Sequence, residues 1–410
     1  MASVLSFEGK MFRNWPENKP PHAVVSKSGE IFQLFILPVI DKKGIVTIQG
    51  PQMGLNLTPQ EHIARARAEM RMGAGIVLCT PEARWLAVSA EAVTEERFAA
   101  MKALGSIELV LTNWRAETLK TWANAGDVAR LELGDNTLAW ARSMADPSDD
   151  LSNPLKGPFQ PVFGADADAH RAALTICKGA YLLPAVLLVE VPRDFESDLH
   201  CIELALISEA LGSDDPMLHP VVHAPVPLSY SKNSRVYVFR PSDGGEEHYA
   251  IEVGHPDRAR PVLSRLHSAC FTGDIIGSLK CDCGHQLHAA MSAIGSEGAG
   301  VLLYLNQEGR GIGLANKMRA YSLQAEGFDT VEANHRLGFE DDERNFRIGA
   351  EILRLMGFSE TRLMTNNPAK VENMERSGVK VTERVPLVVG QNPLNEAYLT
   401  TKAKKSGHIL

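Results

Sequence analysis

Cys270, Cys281 and Cys283 place half of the chain's six cysteines within residues 270–283. Thiolates are soft ligands that suit zinc, and three of them leave the fourth tetrahedral position open to water, as hydrolytic zinc requires. Cys270 is expected to end a strand, with Cys281 and Cys283 on an extended segment ahead of a helix, two apart and pointing the same way. Two other readings stand beside this one. The three could be small buried hydrophobes, as free cysteines often are, or His267, His285 or His288 could supply a fourth ligand and close the site. An all-thiolate centre is anionic and acidifies a water less than neutral imidazoles would, so a nearby base or electrostatic helper is wanted.

Three further segments carry polar groups suited to a nucleotide. Gln307-Glu-Gly-Arg-Gly-Ile-Gly313 is a glycine-rich turn between a strand and a helix, able to offer backbone N–H groups to an anion. It is not a dinucleotide fingerprint: counted from Gly311 and Gly313, the third glycine position holds Asn316. Glu308 could accept from a purine N–H edge and Arg310 could grip phosphate. Phe339-Glu-Asp-Asp-Glu-Arg-Asn-Phe346 sets acids and an arginine at a helix start, where acids often only complement the dipole. Asp342 and Arg344 could instead be a base and a nucleophile or phosphate ligand. Thr365-Asn-Asn-Pro-Ala-Lys370 follows an apolar strand and offers hydroxyl, amide and ammonium groups.

The surrounding pattern says what holds these segments. Thr58-Pro-Gln-Glu signals a helix start with proline at its first position. Gly75–Cys79 and Leu86–Ser89 read as short strands, Thr94 opens a helix, Ala169–Leu183 is a helix and Pro184–Val191 an apolar strand. Residues 146–158 read as a long surface loop. Beyond residue 195, Arg235–Phe239, Tyr249–Val253, Arg260–His267 and Gly300–Leu305 are strands. Gln286–Gly295, Leu314–Glu326 and Asn345–Met356 are helices, and Thr361–Thr365 is the final strand. The expected architecture is α/β (α+β), two domains each with a mixed sheet packed by helices. An irregular lead-in occupies 1–57, with a strand or two around its apolar run Ile31–Ile40, and the domains cover 58–195 and 196–410.

At 410 residues the chain can build two cores. Its net charge of −8 without a basic block argues against nucleic acid or an anionic membrane. No stretch holds the roughly 18 apolar residues of a membrane helix, and the opening Met-Ala-Ser-Val-Leu-Ser lacks the pattern of a signal peptide. A cytoplasmic protein with reduced thiols is expected.

Taken in order, Arg265-Leu-His-Ser-Ala-Cys-Phe-Thr-Gly-Asp, Cys281-Asp-Cys-Gly-His-Gln, Gln307-Glu-Gly-Arg-Gly-Ile-Gly-Leu, Asp329-Thr-Val-Glu-Ala-Asn, Asp342-Glu-Arg and Thr365-Asn-Asn-Pro-Ala-Lys resemble the motifs of GTP cyclohydrolase II, over about 234–410. The resemblance implies the zinc-dependent opening of GTP in the first committed step of riboflavin synthesis, with loss of formate and pyrophosphate. It implies one zinc per subunit on Cys270, Cys281 and Cys283, with attack at guanine C8, and Mg²⁺ on the triphosphate. It further implies Arg344 as nucleophile, Asp342 as proton acceptor and Tyr321 as the aromatic of the site. Arg265, Gln286, Glu308, Arg310, Thr330, Thr365 and Lys370 would bind base or phosphates, in a homodimer. Ala269 departs from the family, where glutamate usually precedes the first zinc cysteine. That departure raises a uridine nucleotide as an alternative substrate, and a catalytically silent nucleotide-binding regulator is a third possibility.

Residues 61–119 are similar, more faintly, to dihydroxybutanone phosphate synthase. Where that family's acidic metal-binding run should stand, Cys79-Thr-Pro-Glu-Ala-Arg-Trp85 has one acid, too few oxygens for a divalent cation. The first half is therefore expected to lack synthase activity and to serve as scaffold, dimerisation or regulatory unit.

Overall fold

A computed structural model describes residues 56–410, apart from 165, 213–217, 397–398, 401–408 and 410; of the earlier residues it gives only two small antiparallel ribbons, Val24–Val25 with Ile31–Phe32 and Pro38–Ile40 with Val46–Ile48. Otherwise the expected lead-in, with residues 33–37 of its apolar run, lies outside the described residues. Met1–Leu57 and Thr58–Leu410 are separate compact units.

The second unit opens on α1 (Pro59–Arg71), whose Thr58 and Glu61 form a reciprocal capping box and whose Ile63, Ala66 and Met70 are buried. There follow β1 (Ile76–Cys79), β2 (Arg84–Ser89), α2 (Glu95–Leu104), β3 (Ile107–Thr112), α3 (Asn113–Thr118), β4 (Val128–Glu132), α4 (Leu138–Ala145), α5 (Asp168–Gly179), β5 (Ala185–Val191), β6 (His200–Glu203) and α6 (Leu204–Gly212). The strands form one mixed sheet in the order β6-β1-β2-β5-β3-β4, with only β6 parallel to its neighbour. Leu109, Leu111, Leu187 and Val189 face one core, and Val110, Val186 and Leu188 face another. Burial on both faces explains why these strands are continuously apolar rather than alternating.

Four sequence expectations change here. Residues 200–212 join the first sheet, beyond the division expected at 195. The thiols of Cys79 and Cys201 are not both reduced: β6 lies beside β1, their Cα atoms are 6.8 Å apart, and they are paired as a disulfide. A separation of 122 residues hid that neighbourhood. Helix α5 ends at Gly179, short of the expected Leu183, because Tyr181 has a left-handed φ of 60°. In the expected surface loop, Asp150 and Lys156 are buried, since Asp150 closes over the 1% exposed Arg115 at 2.5 Å and Lys156 joins it at 2.6 Å.

The remaining elements are β7 (Leu218–Pro225), β8 (Ser234–Pro241), β9 (His248–Val253), β10 (Val262–Ser268), α7 (Cys283–Glu297), β11 (Gly300–Leu305), α8 (Gly313–Ala325), α9 (Thr330–Arg336), α10 (Arg347–Leu355), β12 (Glu360–Met364), α11 (Pro368–Arg376) and β13 (Lys380–Val385). Their sheet runs β7-β8-β9-β11-β10-β12-β13, antiparallel as far as β11 and parallel beyond it. Thr361–Thr365 is thus followed by a further strand, β13. The two sheets are not independent bodies: Ile312, Ala320 and Leu323 of the α8 region, and Ala333, Leu337 and Phe339 near α9, fill the same core as β3 and β5. Helices that carry site residues are packed against the first sheet.

Candidate active site

Parallel strands β10 and β11 end side by side, Ser268 opposite Leu305, and the site is built where the chain leaves them. After β10 a tight turn, Phe271–Ile275, brings Cys270 back toward Cys281 and Cys283. Cys283 is the first residue of α7 rather than part of an extended loop, so the last two thiols converge through a helix start. Ligand atoms of the three lie within 4.8 Å of one another, with Cys270 Sγ 3.7 Å from Cys281 Sγ. Zinc–sulfur bonds of about 2.3 Å in a tetrahedron set sulfurs about 3.8 Å apart, so the donor set fits a zinc ion. Gly273 closes the cradle: a Cβ there would stand 2.9 Å from Cys281 Sγ and 3.1 Å from Cys270 Sγ.

None of the three histidines considered as a fourth ligand belongs to this cluster among the described residues. His267 Nε2 lies 3.0 Å from Asp274 Oδ2, which also accepts from Tyr304 Oη and the Cys270 N–H, each at 3.0 Å. His288 Nδ1 meets Tyr230 Oη at 2.5 Å, and His285 packs under Gly390. The neighbouring thiols of Cys281 and Cys283 hold Cys270 as the thiolate of the group, against the cost of burial and with help from Lys317. That anion pushes Cys281 up to about 11.

The glycine-rich turn enters from the other strand. Gly309 and Arg310 both take left-handed backbone, φ 63° and 62°, and at Arg310 this is strain that a functional turn can hold. Gly311 is required sterically, since a Cβ would stand 2.9 Å from the Glu343 backbone. Glu308 Oε2 accepts the Phe271 N–H at 2.5 Å, and Oε1 accepts from the Gly309 N–H at 3.0 Å and from Lys317 Nζ at 2.8 Å. Both oxygens are therefore engaged by the chain itself.

One cleft is lined by Cys270, Cys281, Cys283, Glu308, Arg310, Tyr321, Thr330 and Arg344, with Ala269 and Lys317. Arg344 is gripped by Asp342, Nε to Oδ1 at 2.7 Å and Nη2 to Oδ2 at 2.5 Å. Burial would raise the Asp342 carboxyl, but the charge of Arg344 holds it below the usual range. Burial pushes the Tyr321 phenol up to about 12, so it stays protonated. Arg265, Gln286, Thr365 and Lys370 are not in the lining. Arg265 is buried behind it, donating to Met364 O at 2.9 Å and to Gln286, with Nε unpartnered and burial lowering it to about 10. Lys370 Nζ donates to Leu266 O at 2.9 Å, and the Phe346 ring lies 5.2 Å from it and 4.8 Å from the Arg344 guanidinium, linking the two cations. Thr365 caps the turn into α11, accepting the Asn367 N–H at 3.0 Å. Lys317 and Phe346 carry no signal of their own in the sequence; one is an interior helix lysine and the other an apolar residue before a helix.

A three-cysteine cradle opening on an arginine-lined cleft is the arrangement of a metallohydrolase for an anionic substrate. The family model for GTP cyclohydrolase II matches residues 219–386. A curated GTP cyclohydrolase-2 of Azospirillum brasilense is 41% identical over 359 residues, 85% of this chain and 93% of that relative. Another, from Shigella boydii serotype 18, is 57% identical over 166 residues, 40% of this chain and 85% of the relative. The chain belongs to the GTP cyclohydrolase II family. Among solved structures, a two-domain 3,4-dihydroxy-2-butanone 4-phosphate synthase from A. baumannii covers 78% of this chain and 99% of its own at 15% identity, with a TM-score of 0.28.

Proposed function

We propose that the protein is a zinc-dependent GTP cyclohydrolase II acting in riboflavin biosynthesis. It would convert GTP to 2,5-diamino-6-ribosylaminopyrimidinone 5'-phosphate, formate and pyrophosphate. The observation that carries this reading is the single cleft lined by three convergent cysteines and by Arg344, itself held by Asp342. Cys270, Cys281 and Cys283 hold one zinc per subunit, which when bound supplies Lewis acidity for hydrolysis at guanine C8, the carbon that leaves as formate. Arg310 and Arg344 take the Mg²⁺-bound triphosphate, with Arg265, Thr365 and Lys370 supporting the phosphate end. Thr330 acts on the base, Glu308 and Gln286 support the base end through their bonds to Lys317 and Arg265, and Tyr321 offers a neutral hydroxyl.

At the phosphate end, Arg344 attacks the α-phosphorus and the bond to the β-phosphate breaks, releasing pyrophosphate. The nitrogen's proton passes to Asp342, and water then cleaves the phosphorus–nitrogen bond to leave the 5'-monophosphate. A guanidinium is a poor nucleophile at its ordinary pKa, so a neighbouring carboxylate and a metal-bound phosphate are both needed; the Asp342 carboxylate 2.7 Å from Nε supports the first.

In this reading the second sheet and its helices, from Leu218 on, are the catalytic part, and the first sheet with its helices is a synthase-like part without its own activity, in a cytoplasmic homodimer. No helix among the described residues is long and apolar enough to cross a membrane. Zinc-replete protein incubated with GTP and Mg²⁺ should yield formate, pyrophosphate and the diaminopyrimidine; their absence would overturn the assignment. Ala269, in the cleft lining, favours one second reading, a uridine nucleotide as substrate, and comparing GTP with UTP decides between them.

A further inference from the structure

We propose that Lys317 is a positioning residue of the metal centre: its ammonium group bonds Cys270 Sγ, Thr272 Oγ1 and Glu308 Oε1 together, tuning how strongly Cys270 donates to a bound metal and fixing the Glu308 carboxylate. The distances are 3.1, 2.9 and 2.8 Å, and the residue is 8% exposed. An ammonium has three N–H donors, and all three are spent on these acceptors. Direct contact with substrate would require breaking one of them.

The fold explains the placement. Lys317 lies one turn into α8, which is locked by Ile312 and Ala320 in the first sheet's core. Its stem runs beside the left-handed Gly309, where a Cβ would stand 3.0 Å from Lys317 Cβ. A single side chain thereby ties the zinc loop after β10 to the glycine-rich turn after β11.

The chemical consequence follows from charge. A divalent ion on three thiolates carries a net −1, and Glu308 beside it makes −2, an environment that weakens Lewis acidity. Lys317 returns one positive charge, and its hydrogen bond draws electron density from the Cys270 sulfur. This is the electrostatic helper that an all-thiolate hydrolytic centre calls for.

The inference rests on the zinc reading above, so cobalt(II) in the full-length protein is the probe. Cobalt-loaded wild type should show a thiolate-to-metal charge-transfer band. In K317M, which removes charge and hydrogen bond, the band should move to longer wavelength as the sulfur becomes a better donor. K317Q keeps a donor without the charge and should shift less, while K317R should stay near wild type. Turnover of GTP should fall about 10- to 100-fold in K317M. An unchanged band in folded K317M and K317Q overturns the inference even if activity is lost, because loss alone would fit a packing role. If K317M does not melt cooperatively, K317Q decides. A wild type that takes up no cobalt overturns the zinc reading and this inference with it. A wild type that binds cobalt and opens GTP, with variants unshifted, overturns only the role of Lys317.

Discussion

Lys178 Nζ lies 2.7 Å from Glu343 Oε1, so a residue of the first sheet's layer grips the position immediately before Arg344. The grip is repeated nearby: Trp114 stacks on His335 with ring centroids 3.8 Å apart, and Asn316 donates to Tyr181 O at 3.0 Å. The first half thus holds the backbone that presents Asp342 and Arg344. Lys178→Met should lower kcat/KM for GTP by about 2- to 5-fold, the size of a partly exposed ion pair. Lys178→Met combined with Glu343→Gln should be no worse than either change alone. Steady-state kinetics on the four proteins checks this, and additive losses would show that the pair is not the route.

Asp342 and Arg344 can be separated by product. Asp342→Asn preserves shape but removes the proposed proton acceptor, so kcat should fall about 10²- to 10⁴-fold. Arg344→Ala should stop pyrophosphate release in a coupled assay while zinc content stays at the wild-type level, because neither residue belongs to the thiolate cluster.

Removing the metal should be reversible, and removing a ligand should not. Cys281→Ala leaves two of three thiolates, and zinc content measured after dialysis should fall well below one per chain with loss of activity. Chelator-treated wild type should regain activity on adding zinc, and Cys281→Ala should not.

The thiolates were legible because three soft ligands between residues 270 and 283 have few other uses, and the elements around them follow from apolar runs and caps such as Thr58 with Glu61. Lys317 was not legible. Its partners Cys270, Thr272 and Glu308 come from two separate turns, and only the parallel pairing of β10 with β11 brings those turns together. For the same reason Lys178, 165 residues from Glu343, gave no signal. Glu308 shows the limit of reading by type: a carboxylate suited to a purine edge is found with both oxygens engaged by the chain.

Acid should loosen the first sheet through Glu108. Burial would raise this carboxyl, but hydrogen bonds from Arg130, at 2.7 and 2.9 Å, and the nearby His170 ring, with Nε2 3.2 Å away, bring it down to about 2 from 4.5. A depressed folded value means the contribution is fully present above pH 4.5 and is lost as pH falls from there toward 2, amounting to about 3 kcal/mol. Glu108→Gln should therefore lower stability at pH 7 and flatten its decline between pH 4.5 and 2, followed by urea unfolding across that range. An equally steep decline in the variant would place the acid sensitivity elsewhere.

Ala269 sits between Ser268 and Cys270 in the cleft lining, its N–H donating to Leu305 O at 2.8 Å, so the backbone there is fixed and only the side chain differs from the glutamate that the family resemblance implies. With Glu308 tied to Phe271, Gly309 and Lys317, the lining has no second carboxylate to accept from the guanine N–H edge. Ala269→Glu would add that acceptor, and a hydrogen bond to a neutral donor made through a charged group is worth about 1.5–3 kcal/mol before the repulsion from Glu308 and the thiolates is subtracted. The net expectation is a gain of about 3- to 10-fold in kcat/KM for GTP and a smaller one for UTP, whose uracil offers a single N3–H where guanine offers N1–H and the N2 amino group. A gain shared equally by both nucleotides would mean that position 269 acts on the metal centre and not on the base.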